Sequence, residues 1–318
     1  MPVTLEQVRT RVQDKLYGSI IDEFRKDPLL DIMLFDDTFS PQGKGSSLKY
    51  LYDRVTTYGS AAFRAINSEY TPHEAETSQF IASLGIFGGS FQIDRVIQLD
   101  TEGLVNELAF QMEQGITAAR ALFGDTFING DTAGDANSFD GLDKALVSSS
   151  TEVIPSAVID LSTAAALDSN YKTLLDGLRR WRAKLDSSPD AFLMNREMYA
   201  VFQSIADRST QFMQTKNELG QEIIKWGNTQ LIELGDKPGT SDPIIPIDGV
   251  AGTTDIYAVR IGLDGLHCIT PKGGNVINQY MPNWKLPNAV KKGEYEMVAG
   301  LVLKATRAAG VYRKIKIN

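Results

Sequence analysis

The sequence predicts an α+β fold, and three observations carry that prediction. One apolar stripe runs at three- and four-residue spacing from Leu104 to Phe123. Runs rich in β-branched and aromatic residues flank it, at 48–58 and again through the last third of the chain. The 318 residues are 42% apolar and 23% charged, ordinary proportions that argue against wholesale disorder. A chain of this length can bury a large core, in one large domain or two of moderate size.

Residues 4–26 read as an amphipathic helix, with Leu5, Val8, Val12, Leu16, Ile20 and Phe24 on one side and Thr4 as its N-cap. Pro28 cannot continue it. The apolar patch Leu29-Leu30 and Ile32-Met33-Leu34-Phe35 follows, then the loop Ser40-Pro41-Gln42-Gly43-Lys44-Gly45-Ser46-Ser47. Together these read as an arm that ends before the main core begins. Residues 48–58 turn to β formers, and Phe91, Ile93 and Ile97 alternate with polar residues as a second strand. Between them, Gly59 to Ser78 is polar, with only scattered Phe63, Ile66 and Tyr70. A structureless loop of about 20 residues is uncommon inside a domain, so this segment is expected to be a projecting hairpin that packs on a neighbouring subunit.

Thr101 caps a helix expected to reach Phe123, ~35 Å long, with Leu108 and Ile116 facing the core and Gly124 as its stop. Gly103 and Gly115 each weaken it by up to about 1 kcal/mol, which close packing would explain. The turn Phe127-Ile128-Asn129-Gly130-Asp131 closes at Phe139-Asp140-Gly141-Leu142. A helix over Asn170–Leu185, a buried strand at Ala191–Met194 and a helix over Glu197–Ala206 follow. Strands are then expected at 229–234, 256–261, 266–270, 295–304 and 311–317.

Composition excludes several function classes. Forty acids against 32 basic residues leave a net charge of -8, which disfavours sequence-specific nucleic-acid binding. The densest basic runs, Arg179-Arg180-Trp181-Arg182 and Arg313-Lys314-Ile315-Lys316, read as a solvated helix face and the outward positions of a strand. No stretch approaches the ~18 apolar residues of a membrane helix. The opening Met1-Pro2-Val3-Thr4-Leu5-Glu6 lacks a signal-peptide pattern, so synthesis in the cytosol is expected. One cysteine and two histidines leave neither a disulfide framework nor a thiol- or imidazole-rich zinc site.

The candidate motifs are weak. Ser46-Ser47-Leu48-Lys49 lacks the companion motifs of penicillin-recognising enzymes, and Gly43-Lys44-Gly45-Ser46 lacks the strand-to-helix setting of a phosphate loop. Asp131, Asp135, Asn137 and Asp140 miss the EF-hand spacing and fit an Asx-rich turn, with a weak surface cation site as the alternative. His267 and Cys268 are strand neighbours and should point to opposite faces, Cys268 as a small buried apolar group. His73 is expected to be solvated or at a subunit contact. No catalytic, cofactor or metal site is expected.

The order of these elements resembles the major capsid proteins of tailed bacteriophages, the Johnson fold shared with encapsulin shells. The residues that carry the resemblance are Ala62-Phe63-Arg64-Ala65-Ile66-Asn67-Ser68-Glu69-Tyr70 in the hairpin and the turn from Phe127 to Leu142. The ending, Gly300-Leu301-Val302-Leu303 through Arg307 to Lys314-Ile315-Lys316-Ile317, is similar as well. The resemblance spans nearly the whole chain. It implies an N-terminal arm (1–47), an extended β-hairpin (48–98) and a peripheral domain with a long spine helix (99–155). An axial domain (156–288) and C-terminal strands returning to the peripheral domain (289–318) complete it. No long charged extension precedes the arm, so a fused scaffolding segment is expected to be absent, and the initiating Met1 argues against N-terminal cleavage. The crosslinking residues found in part of the family are not placed in this sequence.

The resemblance implies a structural virion protein, assembled in the host cytoplasm into hexamers and pentamers of a closed head around double-stranded DNA. Separate scaffolding, portal and decoration proteins are implied partners; sequence-specific DNA contacts, cofactors and a membrane are not. An encapsulin-like compartment is the near alternative, and a soluble carboxylate-based enzyme the distant one. An acidic subunit that meets its own copies needs local ion pairing. Arg64 and Glu69 at the hairpin tip, and Arg54 and Asp53 at its base, are the candidate interface residues.

Overall fold

The computed structural model describes residues 29–38, 49–97, 107–209, 212–216, 222–271, 277–285 and 287–318. The amphipathic segment 4–26 and the loop 40–47 therefore lie outside the described residues, as do the serine and glycine motifs in that loop. The chain begins with a one-turn helix α1 (Leu29–Ile32), β1 (Phe35–Asp37), β2 (Lys49–Thr57), β3 (Glu76–Ser83) and β4 (Gly85–Asp94). Helices α2 (Glu107–Asn129) and α3 (Leu142–Leu146), short strands β5 (Glu152–Val153) and β6 (Ile159–Asp160), and α4 (Ala164–Arg182) come next. Then follow β7 (Ala191–Met194), α5 (Arg196–Arg208), β8 (Phe212–Lys216), β9 (Glu222–Trp226), β10 (Thr229–Glu233) and β11 (Thr253–Val259). The chain ends with β12 (Leu266–Thr270), β13 (Ile277–Tyr280), β14 (Val290–Leu303) and β15 (Ala309–Lys316).

Strand alternation builds two cores on one sheet. The eight-stranded sheet runs β5-β15-β11-β7-β10-β9-β8, with β6 also on β15. Ala191 and Leu193 of β7, with Tyr257 and Val259 of β11, face a first core. Their alternates Phe192, Met194, Ile256 and Ala258 face a second, under Leu174, Leu178, Trp181 of α4 and Phe202 of α5. Both helices are capped as polar residues dictate: the Thr163 and Asn195 side chains accept from the Ala166 and Met198 amides. Helix α4 starts before Asn170 because Thr163 supplies that cap. The first core is closed by a five-stranded sheet, β1-β12-β14-β13 with β4 on β14.

Both ends of the chain join the two sheets. Residues 29–38 contribute Leu29 and Met33 to the first core, and β1 pairs in parallel with β12. Strand β15 pairs with β11, β5 and β6 inside the eight-stranded sheet, and β5 lies in the stretch expected to be peripheral. Strand β12, from within the stretch expected to be axial, sits between β1 and β14.

Helix α2 runs through Gly124 to Asn129. Phe123, Phe127 and Ile128 are fully buried, and burying such side chains stabilises by ~1.5–3 kcal/mol each against the ~1 kcal/mol a helical glycine costs. The inward line is Met112, Gly115, Ala119, Phe123 and Phe127. Leu108 and Ile116, expected in the core, are only half-buried, and Ile116 lines an open groove of about 430 Å³ with Met112 and Met281. The helix turns Gly115 toward the sheet because Tyr295 of β14 occupies the space. A Cβ on Gly115 would lie 2.2 Å from a Tyr295 ring carbon, and one on Gly89 2.2 Å from its hydroxyl. The turn after α2 closes backbone on backbone: the Gly141 amide donates to the Gly130 carbonyl at 2.8 Å.

In the C-terminal basic run Lys314 points outward as expected, but Arg313 does not. Arg313 and Lys314 together oppose Asp255 of β11, a bulge that puts Lys314 at φ 61° and turns Arg313 inward. Its guanidinium reaches Asp143 of α3 at 2.7 Å, Asp255 at 2.8 Å and Glu152 of β5, at 17% exposure. Burial works against that charge, but Glu152 and Asp143 outweigh it and hold Arg313 more firmly protonated than usual. Burial also pushes Asp255 up, with Arg313 pulling it back.

Two predictions follow from this packing. Gly115→Ala should lower stability by about 1–3 kcal/mol through overpacking, despite alanine's better helix propensity. In a Tyr295→Ala background the same change should be neutral or stabilising; equal losses in both backgrounds by denaturant melts would exonerate Tyr295. Arg313→Met leaves clustered carboxylates and should cost about 2–3 kcal/mol at pH 7, short of the ~3–5 kcal/mol of a fully buried pair. Asp255, already raised by burial, then loses the cation that pulled it back and binds its proton more tightly folded than unfolded, so the variant gains stability as pH falls from 7 to 5 and the gap to wild type narrows. Melting curves at both pH values check the sign.

Candidate subunit interface

Strands β2 and β3 pair antiparallel from Lys49↔Ser83 to Thr57↔Glu76 and form a two-stranded sheet of their own. A lone hairpin is marginal in water, so its base must be held by something else. Tyr50, Tyr52 and Arg54 lie two residues apart and share one face of β2. Tyr50 is fully buried with Leu84, Ile269, Val298 and Val302, against the outer face of the five-stranded sheet. Tyr52 stacks on its cross-strand partner Phe80 at 5.7 Å and donates to the Leu303 carbonyl at 3.2 Å. Arg54 lies over Phe80 at 4.5 Å. It donates to the carbonyls of Leu303 (2.6 Å) and Lys304 (2.8 Å) and to the Thr306 hydroxyl (3.1 Å).

Arg54, expected at a subunit contact, makes these contacts within its own chain. The strand alternation that aims it inward sends Asp53 to the opposite, exposed face. The spacing of Tyr50, Tyr52 and Arg54 was the available signal for this base, because three residues of one parity can anchor one side of a strand.

Beyond the base, residues 55–79 are all exposed. The tip is a turn in which the Ser68 amide donates to the Ala65 carbonyl at 3.2 Å, and Asn67 takes φ 63°, a conformation asparagine tolerates. Arg64 donates to the Ser68 carbonyl at 3.2 Å and lies over Tyr70 at 5.4 Å. Among the described residues Arg64 and Glu69 form no ion pair. Phe63 and Ile66 are 107% and 91% exposed, with Tyr58 and Tyr70 beside them. Apolar side chains gathered on one exposed tip form a candidate interaction surface.

The chemical candidates resolve differently. Asp131 and Asp135 each accept from the amide two residues on, and the Lys144 ammonium sits between Asp131 (2.6 Å) and Asp140 (2.7 Å). The position a cation would take is filled by a lysine of the same chain, whose contact draws the Asp131 carboxyl below its usual range. Among the described residues no three His, Cys, Asp or Glu side chains are grouped to hold a metal, and no helix is long and apolar enough to cross a membrane. Cys268 faces the first core, and burial pushes its thiol far up. His267 points the other way, against Tyr50. His73 is exposed in the hairpin loop.

Solved structures superimpose on nearly the whole chain. The SrpI encapsulin complex from Synechococcus elongatus PCC 7942 matches with a TM-score of 0.64 at 12% identity, covering 100% of this chain and 98% of its own. The capsid of Myoviridae phage XM1 matches with a TM-score of 0.59 at 12% identity, over 96% and 98%. The capsid of an empty GTA particle matches with 0.59 at 9%, over 98% of each. At such identities the likeness is one of fold, and the chain has the Johnson fold. No protein-family model matches the sequence, and no curated protein matches it.

Arg54→Ala should remove the hydrogen bonds to Leu303, Lys304 and Thr306 without emptying a core. Global stability should fall by about 1–3 kcal/mol, the range for hydrogen bonds from a charged donor. Cleavage within 58–75 by a dilute protease should speed up in the same variant. Unchanged cleavage would mean that Tyr50 and Tyr52 suffice.

Proposed function

We propose that this chain is a self-assembling shell subunit, the major capsid protein of a tailed-phage head that encloses packaged double-stranded DNA. The observation that carries the reading is the hairpin: a two-stranded sheet held only at its base, whose fully exposed tip bears Phe63 and Ile66. A subunit gains nothing from such a tip alone, whereas a neighbour can bury it, and a closed shell repeats that contact in every copy. The Johnson fold supports the reading.

The implied assembly is of hexamers and pentamers, formed in the host cytoplasm and ending in the virion, with peripheral and axial parts on either side of the first core. Scaffolding, portal and decoration proteins would be separate chains. A net charge of -8 suits an inner surface that touches DNA without reading its sequence. Arg54 and Asp53 at the hairpin base and Arg64 and Glu69 at its tip are the charges proposed at the contact. The TM-score of 0.64 to an encapsulin favours one second reading, a compartment with protein cargo. Negative-stain microscopy of the purified protein tests both: uniform closed shells support a shell subunit, nucleic acid or protein inside distinguishes the two, and dispersed monomer at high concentration defeats both.

Replacing 59–78 by a short Gly-Ser turn should leave a folded subunit by circular dichroism that no longer sediments as shells. Arg64→Glu removes a tip charge worth ~0.2–1 kcal/mol per exposed pair. It should leave monomer melting nearly unchanged yet raise the assembly threshold, more at low salt than at high. Identical light-scattering thresholds at both salt concentrations would take Arg64 out of the contact.

A further inference from the structure

His267 is fully buried in β12, and neither ring nitrogen has a partner at full hydrogen-bond geometry, the Gly262 backbone giving it only a loose contact. Its ring packs edge-on to Tyr50 with centroids 5.7 Å apart. Tyr50 is the wedge by which the hairpin enters the body: its hydroxyl donates to Asp36 at 3.0 Å, and the Lys304 ammonium lies 5.1 Å from its ring centre. Among the described residues no strand outside the hairpin pairs with β2 or β3. Apart from the chain entering β2 and running on into β4, the hairpin is seated, among the described residues, by side chains of one face.

A buried imidazole without a well-formed hydrogen bond adds little to packing that leucine would not, and it carries a desolvation cost. What it adds is a proton site. Neutral, the ring fits beside Tyr50; charged, it would be a buried cation next to Lys304. We propose that His267 is a proton-operated latch: neutral, it lets Tyr50 seat the hairpin, and protonated, it unseats Tyr50 and lets the hairpin pivot at Leu84.

The groups facing it set the direction. Burial and the Lys304 charge hold the imidazole down to about 4, with Asp36, the Gly262 carbonyl and Asp264 pulling the other way. A base depressed when seated takes its proton mainly when unseated. The seated state is therefore fully favoured above pH 6.5 and loses ground as pH falls toward 4. With an ordinary histidine in the unseated state, the unseated-to-seated ratio rises about a hundredfold between pH 7.5 and pH 4. The latch is a property of one subunit; only its consequence, acid control of subunit contacts, rests on the shell reading.

The test uses the free subunit at low concentration, spin-labelled at Ser78→Cys on β3 and Ser187→Cys on the body; native Cys268 is buried. Dipolar distances are measured at pH 7.5, 5.5 and 4, with circular dichroism alongside. One narrow distance at pH 7.5 should give way to a second, broader population toward pH 4 while the dichroism holds. His267→Leu, with His267→Met as a second variant, should keep the pH 7.5 distribution throughout. An unchanged wild-type distance at pH 4, an acid response that survives in both variants, or dichroism lost in step with the distance would each overturn the latch. Microscopy at pH 7.5 tests the shell reading separately, so a His267-dependent movement without shells would remove only that reading.

Discussion

The structure depends on the aromatic cluster around Phe123. That ring lies 6.0–6.4 Å from those of Phe35, Phe87, Phe127 and Phe139, so one fully buried residue ties together β1, β4, the end of α2 and the turn that follows it. Aromatic contacts of this spacing add to burial and have preferred geometry. They fix where the helix enters between the two sheets. The eight-stranded sheet can then bury both faces, one against this cluster and one beneath α4 and α5.

The hairpin lies outside that arrangement. Its base uses the outer face of the five-stranded sheet, which the first core leaves available to Tyr50, Tyr52 and Arg54. Its tip has internal order, from the Ala65–Ser68 turn and Arg64, but no apolar partner among the described residues. A tip with such internal hydrogen bonds would lose less entropy on docking than an unstructured loop, which is what the proposed repeated contact requires.

The ionisable groups hold the fold together. Arg313 gathers acids from a helix and two strands, Lys144 closes the Asx-rich turn, and Arg260 joins Asp186 at 2.8 Å. Each places a single cation between acids from separated segments, so a chain with excess acid spends its basic residues on its own seams. His267 differs, being buried without such a partner.

Local pattern determined much of the architecture by itself. Ala191–Met194 and Leu266–Thr270 were legible to the residue because short apolar runs bounded by polar ones have few other uses. Helix α5 was legible to within two residues at either end, and the hairpin from a polar stretch too long for a core loop. Strands β3, β8, β9 and β13 were not, because their patterns are too short or too polar to stand out without their partners. Tertiary structure alone decided that β15 inserts between β11 and the short strands, since pairing is settled by distant edges rather than by order in the chain. It alone turned Gly115 toward Tyr295 and aimed Arg313 inward, because close approach and a bulge depend on the residue opposite. The charges proposed at a contact were placed by sequence at a tip and a base, but which side of β2 meets the sheet, and so what Arg54 touches in its own chain, was not legible. That side is set by burial of Tyr50, which no local pattern records.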